Sequence, residues 1–147
     1  MSPERAGSVP AFPLIDLCFS GEYTKAEIKK MLVGKGGAVA HLGSNDFREI
    51  VSRAEAGDEA CAKFLKAFCI SVAKYIGAEA TVVGGKVDAI VLTGGIAYSS
   101  YIADAITEMV QFIAPVEVYG GENELESLAE NGYGILAGEF EVKYFHK

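Results

Sequence analysis

An α/β fold with a partly parallel sheet is what this chain of 147 residues predicts, and three observations carry that reading. From residue 87 onward the pattern runs strand, helix, strand, helix, and crossover helices between successive strands imply parallel pairing. Apolar residues recur at three- and four-residue steps through Cys61, Phe64, Leu65, Phe68, Val72, Tyr75 and Ile76, marking one face of a long helix. Finally, a β-prone run enters Thr93-Gly94-Gly95 just ahead of a second amphipathic segment, the pattern of a strand-to-helix turn. Half of the residues are hydrophobic and 22% are charged, a globular composition at a length that suits one domain with a real core.

Taken in order, "FPLIDLCFSG" (12–21) reads as a strand ending at Gly21, with Pro13 restricting its start. "TKAE" (24–27) is a capping box in which Thr24 and Glu27 each satisfy the other's backbone amide, so a short helix to about Val33 follows. After the turn "GKGG" (34–37), "AVAHL" (38–42) reads as a short strand, which makes His41 a core histidine rather than an acid–base group. Ser44 or Asn45 is the next N-cap, and the helix "DFREIVSRAEAG" ends near Gly57. The long amphipathic helix begins at Asp58 and is either capped by Gly77 or continues to the glycine pair at 84–85.

"VDAIVL" (87–92) is a strand, and Asp88 stands at its end. The next helix carries Ile102, Ala105, Ile106, Met109, Val110 and Ile113, and Pro115 prevents its continuation. "VEVY" (116–119) is a strand, "GGENE" (120–124) a loop, and "LESLAENGYGILAG" (125–138) a helix despite its glycines. "EFEVKYF" (139–145) alternates like an edge strand. No internal repeat, low-complexity segment or linker divides the chain.

Several classes are disfavoured. A net charge of −7 and the lack of a basic patch argue against nucleic acid as a partner. No apolar run approaches the roughly 20 residues of a membrane span. The polar start "MSPERAGSVP" is unlike a secretory signal, so a cytoplasmic location is expected. Cys18, Cys61 and Cys69 lack metal-type spacing and read as reduced, buried thiols.

The glycine turn at 93–95 stands where open α/β sheets bind ligands, at the carboxyl end of a strand. Bare glycines admit close backbone approach, and the amides of a following helix start favour anions. The same residues also suit a tight turn that serves packing alone. The turn lacks the Gly-Lys-Ser/Thr of a phosphate loop, and "GKGGAV" (34–39) fails the dinucleotide fingerprint because Val39 occupies the third glycine position.

"GKVDAIVLTGGIAYS" (85–99) resembles the adenosine-binding segment of the butyrate kinase family, within the superfamily of acetate and sugar kinases, heat-shock ATPases and actin. "GGAVAHLGSNDFREI" (36–50), "KYIGAEATVV" (74–83) and "GENELESLAENG" (121–132) resemble consecutive family segments in the same order. "SPERAGSVP" (2–10) is similar to the stretch following the family's second phosphate-contacting segment. The resemblance spans essentially the whole chain but only the carboxyl-terminal half of the family's longer one. It implies a ribonuclease H-like, actin-like ATPase lobe with a mixed, partly parallel sheet flanked by helices. The amino-terminal lobe, with much of the acceptor pocket, has no counterpart.

The family moves the γ-phosphoryl of ATP to a short-chain carboxylate, so the resemblance implies ATP or ADP and Mg²⁺ as cofactors. The implied partners are that carboxylate and either the missing lobe or a second copy. By the same resemblance Thr93, Gly94, Gly95 and Ile96 line the nucleotide, while Ser99 and Ser100 cap the next helix. Ser44-Asn45-Asp46-Phe47-Arg48 resembles the segment whose arginine faces the transferring phosphoryl. A guanidinium fork suits phosphate oxygens, although Arg48 also reads as a surface arginine paired with Asp46 or Glu49. Asn45 and Asp46 would then cap and orient that turn. Glu122 and Glu124 stand where related kinases hold a carboxylate near magnesium, and acidic residues also suit a helix N-terminus. Gly132, Gly134 and Gly138 would allow close packing of the last helix, where glycine otherwise costs about 1 kcal/mol against alanine.

Overall fold

The structure is a computed structural model that describes residues 1–121 and 124–144. Seven helices and two strands are formed among them: α1 (Ala11–Phe19), α2 (Lys25–Leu32), α3 (Gly37–Leu42), α4 (Phe47–Glu55), α5 (Glu59–Val82), β1 (Ile90–Gly94), α6 (Ser100–Val110), β2 (Val116–Gly120) and α7 (Glu124–Leu136). β1 and β2 pair in parallel, with Ile90 opposite Val116 and Gly94 opposite Gly120, and α6 makes the crossover between them. The predicted α/β class and parallel pairing are therefore present. Among the described residues no helix is long and apolar enough to cross a membrane.

Helix α5 is the spine, about 36 Å long at 1.5 Å per residue. It runs through Gly77, and Asp58 caps its start by accepting from the amides of Ala60 and Cys61. Its buried residues Cys61, Phe64, Leu65, Phe68 and Cys69 meet Phe47 and Ile50 of α4 on one side and Ile102, Ile106 and Val110 of α6 on the other. Phe47 packs edge-on against Phe68, with ring centroids 5.0 Å apart. Ile50, Leu65, Ile102 and Val110 are among the largest fully buried side chains. The capping box of α2 forms as predicted, Thr24 accepting from the Glu27 amide and Glu27 from the Thr24 amide.

Three expected strands are absent. Residues 11–19 form α1, because Pro13 falls in the first turn, where its missing N–H forgoes no helical bond. Phe12, Ile15 and Phe19 carry the helical spacing, yet their shared face is exposed. Residues 37–42 form α3, ended by Gly43 at φ 72. A five-residue apolar run reads equally as a strand or a helical turn, and here backbone bonds from Ala38 and Val39 to the carbonyls of Ser2 and Pro3 anchor the helical start.

Residues 139–144 form no strand. Gly138, at φ 74, closes α7 in a Schellman motif: its amide reaches the Ile135 carbonyl and that of Glu139 the Gly134 carbonyl. The ring of Phe140 then folds over Gly134, where any side chain would collide with it.

Smaller corrections follow the same logic. His41 is exposed rather than in the core, its ring 5.6 Å from that of Phe64. The α4 cap is Asp46, which accepts from the Arg48 amide, while Ser44 accepts from the Asp46 amide one step earlier. Ser99 holds the α6 cap position without a side-chain cap bond. Cys61 and Cys69 are buried, but Cys18 is exposed.

Candidate functional site

At the carboxyl ends of β1 and β2 lies a cleft of about 500 Å³ lined by Thr93, Gly94, Tyr119, Gly120, Gly121, Glu124 and Ser127. Strand register builds it, since Thr93 stands opposite Tyr119 and Gly94 opposite Gly120, and the Gly121 amide donates to the Gly94 carbonyl at 3.2 Å. Gly94 adopts φ 88 and ψ 174, a backbone region essentially confined to glycine. The chain then turns through a single 3₁₀ turn (Gly95–Tyr98). That turn lays Tyr98 over Gly120, where an added Cβ would stand 2.8 Å from the ring. One edge of the cleft is thus bare backbone from Gly94, Gly120 and Gly121. Glu124 and Ser127, at the start of α7, complete the lining. Backbone amides at a glycine turn suit phosphate oxygens, and the hydroxyls of Thr93 and Ser127 add neutral donors.

Of the residues singled out from sequence, the fold brings Thr93, Gly94 and Glu124 together in this cleft. Gly95 is exposed and opens the 3₁₀ turn. Ile96 packs against the core and lines a separate apolar groove with Phe68, Val72, Ile76 and Leu92. Glu122 lies outside the described residues. Tyr119, Gly120, Gly121 and Ser127 were not singled out, although "VEVYGG" repeats the signal of "IVLTGG", a strand running into paired glycines.

Asn45 and Arg48 belong to a different polar cluster. The Asn45 side-chain amide donates to Glu4 Oε1 at 2.7 Å, and Ser44 Oγ donates to Glu49 Oε2 at 2.6 Å. Arg48 donates to both carboxylate oxygens of Asp46, Nε to Oδ1 at 3.0 Å and Nη2 to Oδ2 at 2.8 Å, while 92% of its side chain stays exposed. The Arg48 side-chain bond, followed by that from its backbone amide, lowers Asp46 to about 2, and the same pair raises the pKa of Arg48. The guanidinium is therefore permanently cationic and held on an exposed helix start.

No group of three or more His, Cys, Asp or Glu side chains able to hold a metal occurs among the described residues. Among the described residues Glu124 is the one acidic residue lining the cleft, a donor set that would suit a magnesium ion keeping most of its waters.

Residues 4–135 match the model of the Acetokinase family. Over 98% of its length the chain is 51% identical to a probable butyrate kinase from Bacteroides thetaiotaomicron and, again at 51%, to butyrate kinase 1 from Clostridium acetobutylicum. It spans 41% of the length of each of these relatives. Among solved structures, the acetate kinase of Porphyromonas gingivalis superposes with a TM-score of 0.79 at 24% identity, over 92% of this chain and 40% of that one. A propionate kinase from Francisella tularensis gives 0.70 at 24% identity, over 84% and 38%. These two likenesses bear on the fold, and the match over residues 4–135 settles the family: the chain belongs to the Acetokinase family.

Proposed function

We propose that this chain is the carboxyl-terminal, nucleotide-binding lobe of a butyrate kinase. The whole enzyme transfers a phosphoryl group between ATP and butyrate, giving butanoyl phosphate and ADP. The observation that carries the proposal is the glycine-walled cleft at the ends of two parallel strands, in a chain half identical to butyrate kinases.

In the forward direction a butyrate carboxylate oxygen forms a bond to the γ-phosphorus, and the bond from that phosphorus to the β–γ bridging oxygen breaks with ADP leaving. Such a transfer depends on positioning and on charge neutralisation at the equatorial oxygens. In this reading the backbone of Gly94, Gly120 and Gly121 lies against the nucleotide, with Thr93 and Ser127 as hydroxyl partners. Gly95 and Ile96 shape the turn behind it. Glu124, with Glu122 two residues before it in sequence, would hold a nucleotide-borne Mg²⁺, which when bound would supply positive charge to offset that of the phosphates. Arg48 offers its guanidinium fork to the transferring phosphoryl once the lobes close, and Asn45 steadies the turn before it. The acceptor pocket and the closing surface belong to the amino-terminal portion of the relatives that this sequence does not span, and the assembled enzyme works in the cytoplasm.

A second reading is a nucleotide-binding module or truncated fragment that does not turn over alone. It is favoured by the chain's 41% span of its relatives. Acyl phosphate formation from butyrate and MgATP, followed for the chain alone and for the chain co-expressed with the missing portion, separates the two. Activity only in the second case is expected, and robust activity of the isolated chain overturns the incomplete-lobe assignment. MgADP should raise the melting temperature of the chain alone, and no shift at saturating ligand refutes the cleft as a nucleotide site. Arg48→Ala in a full-length relative should lower kcat much more than nucleotide affinity, whereas equal losses assign it to binding.

A further inference from the structure

We propose that Glu4 is a positioning residue for Arg48, acting through Asn45 to fix the turn that presents the guanidinium. The inference rests on the reading of Arg48 as the group that meets the transferring phosphoryl. Residues 44–48 are pinned mostly from within. Ser44 Oγ donates to Glu49 Oε2 and accepts from the Asp46 amide, while Asp46 accepts from both the amide and the side chain of Arg48. Phe47 anchors the helix start from below, against Phe64 and Phe68. Arg48 itself is bonded to Asp46 of the same turn and is 92% exposed, so the direction of the turn decides where its fork stands. Among the described residues, one side-chain hydrogen bond ties this stretch to a distant segment. It runs from Asn45 Nδ2 to Glu4 Oε1, at 2.7 Å and across 41 residues of chain.

A second observation makes Glu4 a fixed point rather than a loose surface carboxylate. Its carbonyl accepts from the amides of Gly34 and Gly36, at 2.8 and 3.1 Å. On either side of it the Ala6 amide donates to the Leu32 carbonyl, and the carbonyls of Ser2 and Pro3 accept from the amides of Ala38 and Val39. Residues 2–6 are therefore clasped against the turn between α2 and α3. The contact is tight, since a Cβ on Gly36 would stand 2.5 Å from the Ala6 amide nitrogen. With its main chain already ordered by the clasp, Glu4 has only side-chain torsions left to fix when it holds Asn45. The clasp thus transmits the position of the α2–α3 unit to the Arg48 turn through one carboxylate.

The test co-expresses this chain with the amino-terminal portion of the Clostridium acetobutylicum relative and measures turnover of butyrate and MgATP. Glu4→Ala should lower kcat about fivefold at nearly unchanged KM for MgATP, the factor one hydrogen bond supplies. Glu4→Gln, which keeps an acceptor oxygen, should stay within about twofold of the parent. Asn45→Ala should match Glu4→Ala, and the double variant should be no slower than either single one. In an Arg48→Ala background Glu4→Ala should add no further loss, whereas a merely structural role would cost the same in both backgrounds. Equal loss in the two backgrounds, or Glu4→Gln as slow as Glu4→Ala, overturns the proposal. Amide exchange on the chain alone gives a readout free of turnover. The Asp46 and Arg48 amides should exchange about fivefold faster in Glu4→Ala than in the parent, and unchanged rates overturn the proposal whether or not the co-expressed enzyme is active. Equal loss of kcat and nucleotide affinity in Arg48→Ala refutes the reading of Arg48, and faster exchange in Glu4→Ala still supports the positioning of its turn.

Discussion

Replacing Gly94 by alanine isolates the backbone demand of the cleft from every contact around it. The residue sits at φ 88 and ψ 174, and a Cβ placed there meets nothing within 4 Å. Sterics with neighbours therefore contribute nothing, and the whole cost is the local conformation, about 1–3 kcal/mol for an L-residue in this region. For 147 residues, an unfolding entropy near 2.1 cal/mol/K per residue makes 1 kcal/mol equal to about 3 °C in melting temperature. Gly94→Ala should thus lower the midpoint by about 3–10 °C. Gly77 supplies the opposite case, because it lies within α5 with open space around its Cα. Gly77→Ala should raise the midpoint by about 2–3 °C through helix propensity alone. Thermal denaturation followed by circular dichroism measures both. If Gly94→Ala falls within about 1 °C of the parent, or stabilises as Gly77→Ala does, the strained strand-end turn is refuted.

Three further outcomes are expected. Leu65→Ala, at a fully buried position between α5 and its neighbours, should cost about 2–5 kcal/mol, read as a fall in urea midpoint at unchanged slope. A loss below about 1 kcal/mol would show that the site collapses freely. Asp58 is held at about 2, first by the Cys61 amide and then by Arg53. Its folded pKa lies below the unfolded value near 4, so its stabilisation is complete above that pH and is lost as pH falls from about 4 to 2. Asp58→Asn keeps a cap but should flatten the acid limb of the urea midpoint, and an unchanged limb refutes the assignment. Burial raises the thiol pKa of Cys61 and Cys69, so a thiol-specific reagent should modify only Cys18 of the three in the folded chain and all three in denaturant. Rapid reaction of a second thiol without denaturant would contradict that packing.

How much was legible depended on where the information resides. The α2 capping box, the amphipathic face of α5 and the strand–helix–strand unit from 90 to 120 could be read because each is written within a few turns of chain. The segments at 12–21, 38–42 and 139–145 read as strands from sequence, and the described residues of each form none, for one shared reason. A strand must find a partner for its backbone, whereas a helix satisfies its own, and a short apolar run does not say which is available. Pro13 in a first turn, the N-terminal segment docked at α3 and the Gly138 reversal then decided each case.

The site divides in the same way. "LTGG" advertises a ligand turn by itself, while its complement, Tyr119-Gly120-Gly121, carries the same signal yet reads as an ordinary strand end and loop. By itself, the sequence determined the family, the α/β class, the capped helices and the glycine turn, because identity, periodicity and turn chemistry are local properties of the chain. Only the tertiary structure decided that Thr93, Gly94, Gly120, Gly121 and Glu124 line one cleft, that Ile96 packs against the core, and that Arg48 is paired with Asp46 at an exposed helix start. Those facts follow from strand register and helix packing, which join residues far apart in the chain and leave no mark in either segment alone.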